Sequence, residues 1–96
     1  MSERLDFLYA NRGTIKAIAM RHKALSIAVF GSVARGEDGP ESDFDFLVKA
    51  GPNFSLFDQV RLRRELMEFL KAEVDLVDEG GLYPRDNHIR EEALAL

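Results

Sequence analysis

The chain has no cysteine. That excludes a disulfide framework, a thiolate zinc site and a cysteine nucleophile. No apolar run approaches the ~20 residues a membrane-spanning helix requires. The N-terminal stretch MSERLDFLYANR carries both charge signs early and has no long apolar centre before a small-residue cleavage site, so no signal peptide is expected. A soluble, cytoplasmic protein without membrane attachment is the expectation. A basic excess is missing too: 13 Lys and Arg stand against 17 Asp and Glu, for a net charge of −4. Proteins that grip a phosphate backbone show a basic excess or a basic face, so direct nucleic-acid binding is not expected. Arg61, Arg63, Arg64 and Lys71 come closest to such a face, and they read as the solvated side of an amphipathic helix. Internal repeats and low-complexity segments are absent.

What is present suits a single domain spanning residues 1–96. At 46% hydrophobic and 31% charged residues, the composition is that of a globular chain with one core. From Ser2 to about Lys23, Leu5, Leu8, Ile15, Ile18 and Ala19 recur at helical spacing, interrupted at Asn11-Arg12-Gly13, which predicts one kinked helix or two short ones. Leu25–Phe30 is short and β-branched, a strand running into a turn at Gly31. Gly36–Pro40 has loop composition. Ser42–Lys49 predicts a second strand. Ser55 is placed to cap a helix over Leu56–Leu70, with Asp58 completing a short capping box. The apolar positions Leu56, Val60, Leu62, Leu66, Met67, Phe69 and Leu70 give that helix a broad face. Glu73–Asp78 predicts a third strand and Asp86–Leu96 a closing helix, with Ile89, Ala93 and Leu96 toward the core.

The first two strands are too close in sequence for a helical crossover and should pair antiparallel; the third follows a helix and can run parallel to the second. The fold class expected is α+β (mixed α/β), a mixed sheet of three to four strands with helices packed on it.

Two groups of residues carry chemistry. Asp43 and Asp45 lie at i and i+2 of a strand, on one face, with Cα atoms ~6.5–7 Å apart. Paired carboxylates repel, and a divalent cation removes that repulsion; magnesium is commonly held by one or two carboxylates plus substrate phosphates. Asp75, inside the apolar run Val74–Val77, adds a third acid on a strand expected to neighbour the first pair. Three carboxylates on one face is the layout of two-metal phosphoryl chemistry, in which Asp75 serves as base or metal ligand. The second group is Gly31-Ser32-Val33-Ala34-Arg35-Gly36, directly after a strand. Gly31 permits close backbone approach, Ser32 offers a hydroxyl and an N–H, and Arg35 can pair with a phosphate or a nearby acid. A helix beginning here adds free N–H donors. The segment lacks the Gly-Lys-Ser/Thr ending of a Walker A loop.

The segments Val29–Gly36, Ser42–Val48 and Val74–Val77 together resemble the minimal nucleotidyltransferase (MNT) family, a branch of the DNA polymerase beta superfamily. Its signature is Gly-Ser, Ala-Arg-Gly, a variable loop, Ser-Asp-x-Asp and a later lone Asp on a strand. The resemblance runs from about Ile15 to the end, including Gly81–Arg85 and Ile89–Ala93, which are similar to the family's closing helix. It implies transfer of AMP from ATP to a hydroxyl, with two Mg2+ ions. By that resemblance Gly31, Ser32 and Arg35 bind the nucleoside triphosphate, while Asp43, Asp45 and Asp75 are the catalytic, metal-binding acids. It further implies an antitoxin partnered in a hetero-oligomer with a HEPN ribonuclease toxin, adenylylated on tyrosine. The alternative is a non-catalytic antitoxin that neutralises its partner by occlusion. His22 and His88 read as surface residues, and Tyr9 and Tyr83 as packing or surface positions.

Overall fold

The structure is a computed structural model that describes residues 3–39 and 43–96. Ser2, at the start of the expected first helix, and Pro40, Glu41 and Ser42, of the expected loop and second strand, lie outside the described residues. The elements are α1 (Glu3–Ala10), α2 (Arg12–Arg21), β1 (Ala24–Phe30), α3 (Gly31–Arg35), β2 (Phe44–Ala50), α4 (Leu56–Leu70), β3 (Val74–Asp78), α5 (Asn87–Glu92) and β4 (Leu94–Ala95), with 3-10 turns at Glu79–Gly81 and Pro84–Asp86. The sheet order is β3-β2-β1-β4. β1 pairs antiparallel with both β2 and β4, and β2 runs parallel to β3. This is the mixed α+β architecture expected, with its fourth strand supplied by the C-terminus.

The N-terminal segment resolves into two helices. Asn11 stands between them, and its side-chain amide donates to the Phe7 carbonyl at 2.8 Å. Leu5, Leu8, Ile15, Ile18 and Ala19 are all buried, as their spacing predicts. They meet Ile27 and Val29 of β1, Phe44, Phe46 and Val48 of β2, and Leu62 and Leu66 of α4 in one core. The Phe44 and Phe46 rings stack at 6.1 Å, which fixes the side of β2 that faces inward.

Two expectations need correcting. On α4 the core residues are Leu62 and Leu66, whereas Leu56 and Val60 are 75% and 51% exposed. At 100° per residue Val60 lies on the far side of the helix from Leu62 and Leu66, and Leu56, in the first turn, lies on the flank. The closing helix, expected over Asp86–Leu96, stops at Glu92, and Leu94–Ala95 becomes a strand. Leu94 faces Val29 and Ala95 faces Ala28, and the Leu96 N–H donates to the Ile27 carbonyl. The free edge of β1 offers unpaired backbone groups, and satisfying them outweighs the helix preference of an Ala-Leu tail. Ile89, Ala93 and Leu96 end up half-buried rather than in the core.

The opposite edge is closed by side chains. Arg63 Nε donates to the Val74 carbonyl at 2.7 Å, and Gln59 Nε2 to the Leu76 carbonyl at 3.4 Å. Arg61, Arg63, Arg64 and Lys71 are exposed, as expected. No helix among the described residues is long and apolar enough to cross a membrane.

The entry to α4 carries the expected capping box: the Ser55 hydroxyl accepts from the Asp58 N–H at 3.3 Å, and an Asp58 carboxylate oxygen accepts from the Ser55 N–H at 2.9 Å. The Ser55 N–H bond foremost, and a second bond in which the Ser55 hydroxyl donates to Asp58 Oδ2 at 3.0 Å, hold the Asp58 carboxyl below the usual carboxylate range. A carboxyl lowered on folding stabilises the protein above its unfolded value and loses that contribution as pH falls through the folded one. Ser55→Ala is therefore expected to cost about 1 kcal/mol, a fall in Tm of roughly 4–8 °C for a domain of this size. The deficit, followed by thermal unfolding across pH, should shrink below the carboxylate range.

Candidate active site

β1 ends at Phe30, and α3 begins at the next residue. Gly31 takes φ +74°, a conformation that glycine adopts freely and L-residues avoid. A Cβ there would lie 2.3 Å from Asp45 Oδ2 and 3.0 Å from its Cγ. Glycine is therefore required twice, for the backbone turn and for the space that the Asp45 side chain fills. Val33, fully buried, anchors the short helix in the core. The helix closes in a Schellman arrangement: the Gly36 N–H bonds to the Val33 carbonyl and the Glu37 N–H to the Ser32 carbonyl, with Gly36 at φ +71°. Such an ending uses a left-handed residue, which accounts for the glycine after Arg35.

Asp45 lies on β2 opposite Phe30 of β1 and, on its other side, opposite Asp75 of β3. Adjacent strands lie ~4.8 Å apart, and residues in register share a face, so the two carboxylates stand side by side. β2 spans Phe44–Ala50, so Asp43, expected within the strand, precedes it and is exposed. Burial raises the Asp45 carboxyl above its ordinary range, and the charges of Asp75 and Asp43 push it further, while Arg35 draws it back. Asp45, the least exposed of the three, thus feels the charge of both others. Among the described residues no three acidic or histidine side chains are yet gathered closely enough to hold a cation. The donor set nonetheless suits a hard divalent ion: oxygen ligands only, and a mutual repulsion that such an ion relieves. A surface hollow of about 590 Å³, lined in part by Ala17, Arg21, Glu65 and Phe69, includes none of these acids.

Three expected nucleotide contacts fare differently. Ser32 is half-buried, and no hydrogen bond among the described residues engages its hydroxyl. The Gly31 N–H is committed to Glu92 Oε1 at 3.0 Å. Arg35 is held by acids: its Nε donates to Glu37 Oε2 at 3.0 Å and its Nη1 to Glu92 Oε2 at 3.0 Å. Glu37 and Asp38, from the acidic loop, are each turned onto an arginine, Glu37 onto Arg35 and Asp38 toward Arg4 at 3.9 Å. Glu92 is the site residue that sequence reasoning missed. Its only trace there was its place in Ile89–Ala93, read as plain helix.

Of the remaining candidates, His88 and Tyr83 are exposed. His22 is half-buried against Glu65, 2.7 Å from Nε2 to Oε1. Its half-burial departs from the surface position expected, and that burial foremost, with Arg21 beside it, lowers its pKa.

Residues 13–93 match the family model described as polymerase beta, nucleotidyltransferase. A relative named as protein adenylyltransferase MJ0435, from Methanocaldococcus jannaschii, is 42% identical over 67 residues, 70% of this chain and 72% of its own length. A solved structure named as a minimal nucleotidyltransferase superposes with a TM-score of 0.85 at 41% identity, over 96% of this chain and 95% of its own. A complex from Shewanella oneidensis, named as a tri-AMPylated HEPN toxin with an MNT antitoxin, contains a chain of the same fold. It superposes with a TM-score of 0.67 at 21% identity, over 91% of this chain and 69% of that one.

Two outcomes test this geometry. Gly31→Ala should lose at least about 1–2 kcal/mol from backbone strain alone, and lose less in an Asp45→Ala background, where the clashing atoms are gone. A double-mutant cycle of unfolding free energies measures that coupling. A carboxyl raised on folding removes stability as pH rises through its folded value. Asp45→Asn should therefore raise the Tm of the metal-free protein at neutral pH, and an unchanged pH dependence would contradict it.

Proposed function

The chain belongs to the polymerase beta nucleotidyltransferase family, and on that premise we propose that it transfers AMP from ATP to a hydroxyl acceptor, a tyrosine of a partner HEPN toxin, as that toxin's antitoxin. The observation that carries the reading is the pairing of Asp45 with Asp75 across β2 and β3, beside a Gly31 that leaves room for the Asp45 carboxylate. A half-buried acid whose charge two neighbouring acids oppose is poorly suited to a purely structural face. The adenylyltransferase named among its relatives and the AMPylated toxin of the Shewanella complex support the acceptor class and the partner.

Asp43, Asp45 and Asp75 are the residues that would hold two Mg2+ ions, whose charge, when bound, offsets that of the triphosphate and of the leaving pyrophosphate. The roles of the chain's own groups follow from their positions. Ser32, with its free hydroxyl, and Arg35 lie where phosphate oxygens need donors. Asp75, on the edge strand and exposed, is the acid an incoming acceptor meets first. In the transfer the acceptor oxygen bonds to the α-phosphorus, the α–β phosphoanhydride bond breaks, pyrophosphate leaves, and the hydroxyl proton passes to the Asp75 carboxylate. Catalysis here is chiefly positioning and charge stabilisation.

The test is transfer of label from ATP, labelled at the α-phosphate, to the co-expressed partner in the presence of Mg2+. Asp43→Asn and Asp45→Asn are each expected to reduce transfer by a factor on the order of 10³ or more, with the fold intact by thermal unfolding. Wild-type transfer by either variant overturns the reading. Toxin neutralisation undiminished by Asp43→Asn would instead establish occlusion as the mode of action.

A further inference from the structure

Glu92 is the last residue of α5, and its carboxylate joins two parts of the chain far apart in sequence. Oε1 accepts from the Gly31 N–H at 3.0 Å and from Arg35 Nη1 at 3.3 Å, and Oε2 accepts from the same Nη1 at 3.0 Å. Both donors sit on the Gly-Ser segment. Both bonds are charge-assisted, which makes them roughly twice as strong as neutral ones.

Glu92 has little freedom to swing away. Two residues later the chain locks onto β1, with Leu94 opposite Val29, itself two residues before Gly31. On the other side, Arg90 of α5 donates to the Glu79 carbonyl at 3.0 Å. The side chain is 23% exposed, against 45% for Arg35.

On electrostatic grounds a carboxylate is badly placed here. It adds a negative charge that acts on Asp45, on the side where a triphosphate must also lie. What it supplies is geometry. The Gly31 peptide must hold its left-handed turn while Asp45 packs against its bare Cα, and Arg35 must be kept over the same ground. Without Glu92 the Gly31 N–H loses its partner, and Arg35 is left to Glu37, an exposed acid two residues along the chain.

We propose that Glu92 is a positioning residue for nucleotide binding: its carboxylate holds the Gly31 peptide and the Arg35 guanidinium in the arrangement that a triphosphate beside Asp45 requires. The inference rests on the transferase reading and adds to it a role for the C-terminal segment. β4 then does more than close the sheet edge, because it pins a side chain that braces the nucleotide segment.

Calorimetric titration of the full chain with Mg2+ and a non-hydrolysable ATP analogue tests this apart from catalysis. Glu92→Ala is expected to weaken analogue binding about tenfold or more, near 1.4 kcal/mol. Glu92→Gln keeps an acceptor for Gly31 but no charge for Arg35 and should fall between Ala and wild type. In the Glu92→Ala background, Arg35→Ala should cost little more. Ile15→Val, a core change away from this contact, should lower Tm and leave affinity unchanged, which separates positioning from loss of stability. If Glu92→Ala does not fold, Glu92→Gln decides by the same criterion. Affinity equal to wild type in the Glu92 variants overturns the proposal, and tighter binding overturns it in favour of a carboxylate that competes with the triphosphate. A wild type that binds no analogue overturns the transferase reading itself.

Discussion

The Asp45 carboxylate fills the space in which any residue but glycine at position 31 would place its Cβ. The rest of the site is arranged around that contact. β1 must end in a left-handed turn at Gly31 so that α3 can start at once, and β2 must run antiparallel beside it with Asp45 at the register of Phe30. The stacked rings of Phe44 and Phe46 hold that register, because a slip of one residue would turn them outward and Asp45 inward. The parallel pairing of β2 with β3 then sets Asp75 beside Asp45. Core packing and site geometry are here one constraint, imposed on the two faces of the same strand.

The acids stand in a partly balanced field. Burial and the neighbouring carboxylates of Asp75, Asp43 and Glu92 work against the charge on Asp45, and Arg35 works for it. Elsewhere several acids are closely paired: Asp58 in its cap, Glu65 against Arg21 and His22, Glu73 against Arg63. At Asp45 like charges gather instead, the kind of local conflict that marks a functional surface. The family to which the chain belongs gives that conflict its chemistry.

Much of this was legible in the sequence, for identifiable reasons. The buried N-terminal positions, the α4 limits and its capping box followed from period and cap chemistry, which act locally. The pairing of the strands followed from the lengths of the connections. Gly31, Asp45 and Asp75 stood out because each broke its local pattern. What escaped depends on distant partners. The Ala-Leu tail prefers helix by itself and becomes a strand only because β1 has a free edge. Leu56 and Val60 count as apolar in any periodicity, but only the placement of Leu62 and Leu66 against the sheet turns them outward. Glu92 is one acid among many until its contact 61 residues away is known.

The central claim is that this cluster of acids moves a nucleotide onto another protein. Its most direct test is the intact mass of whatever small protein co-purifies with the chain, compared between wild type and an Asp43→Asn, Asp45→Asn double variant. The account predicts a partner heavier by whole adenylyl groups with wild type and unmodified with the double variant. A partner of unmodified mass, bound equally by both forms, would contradict it.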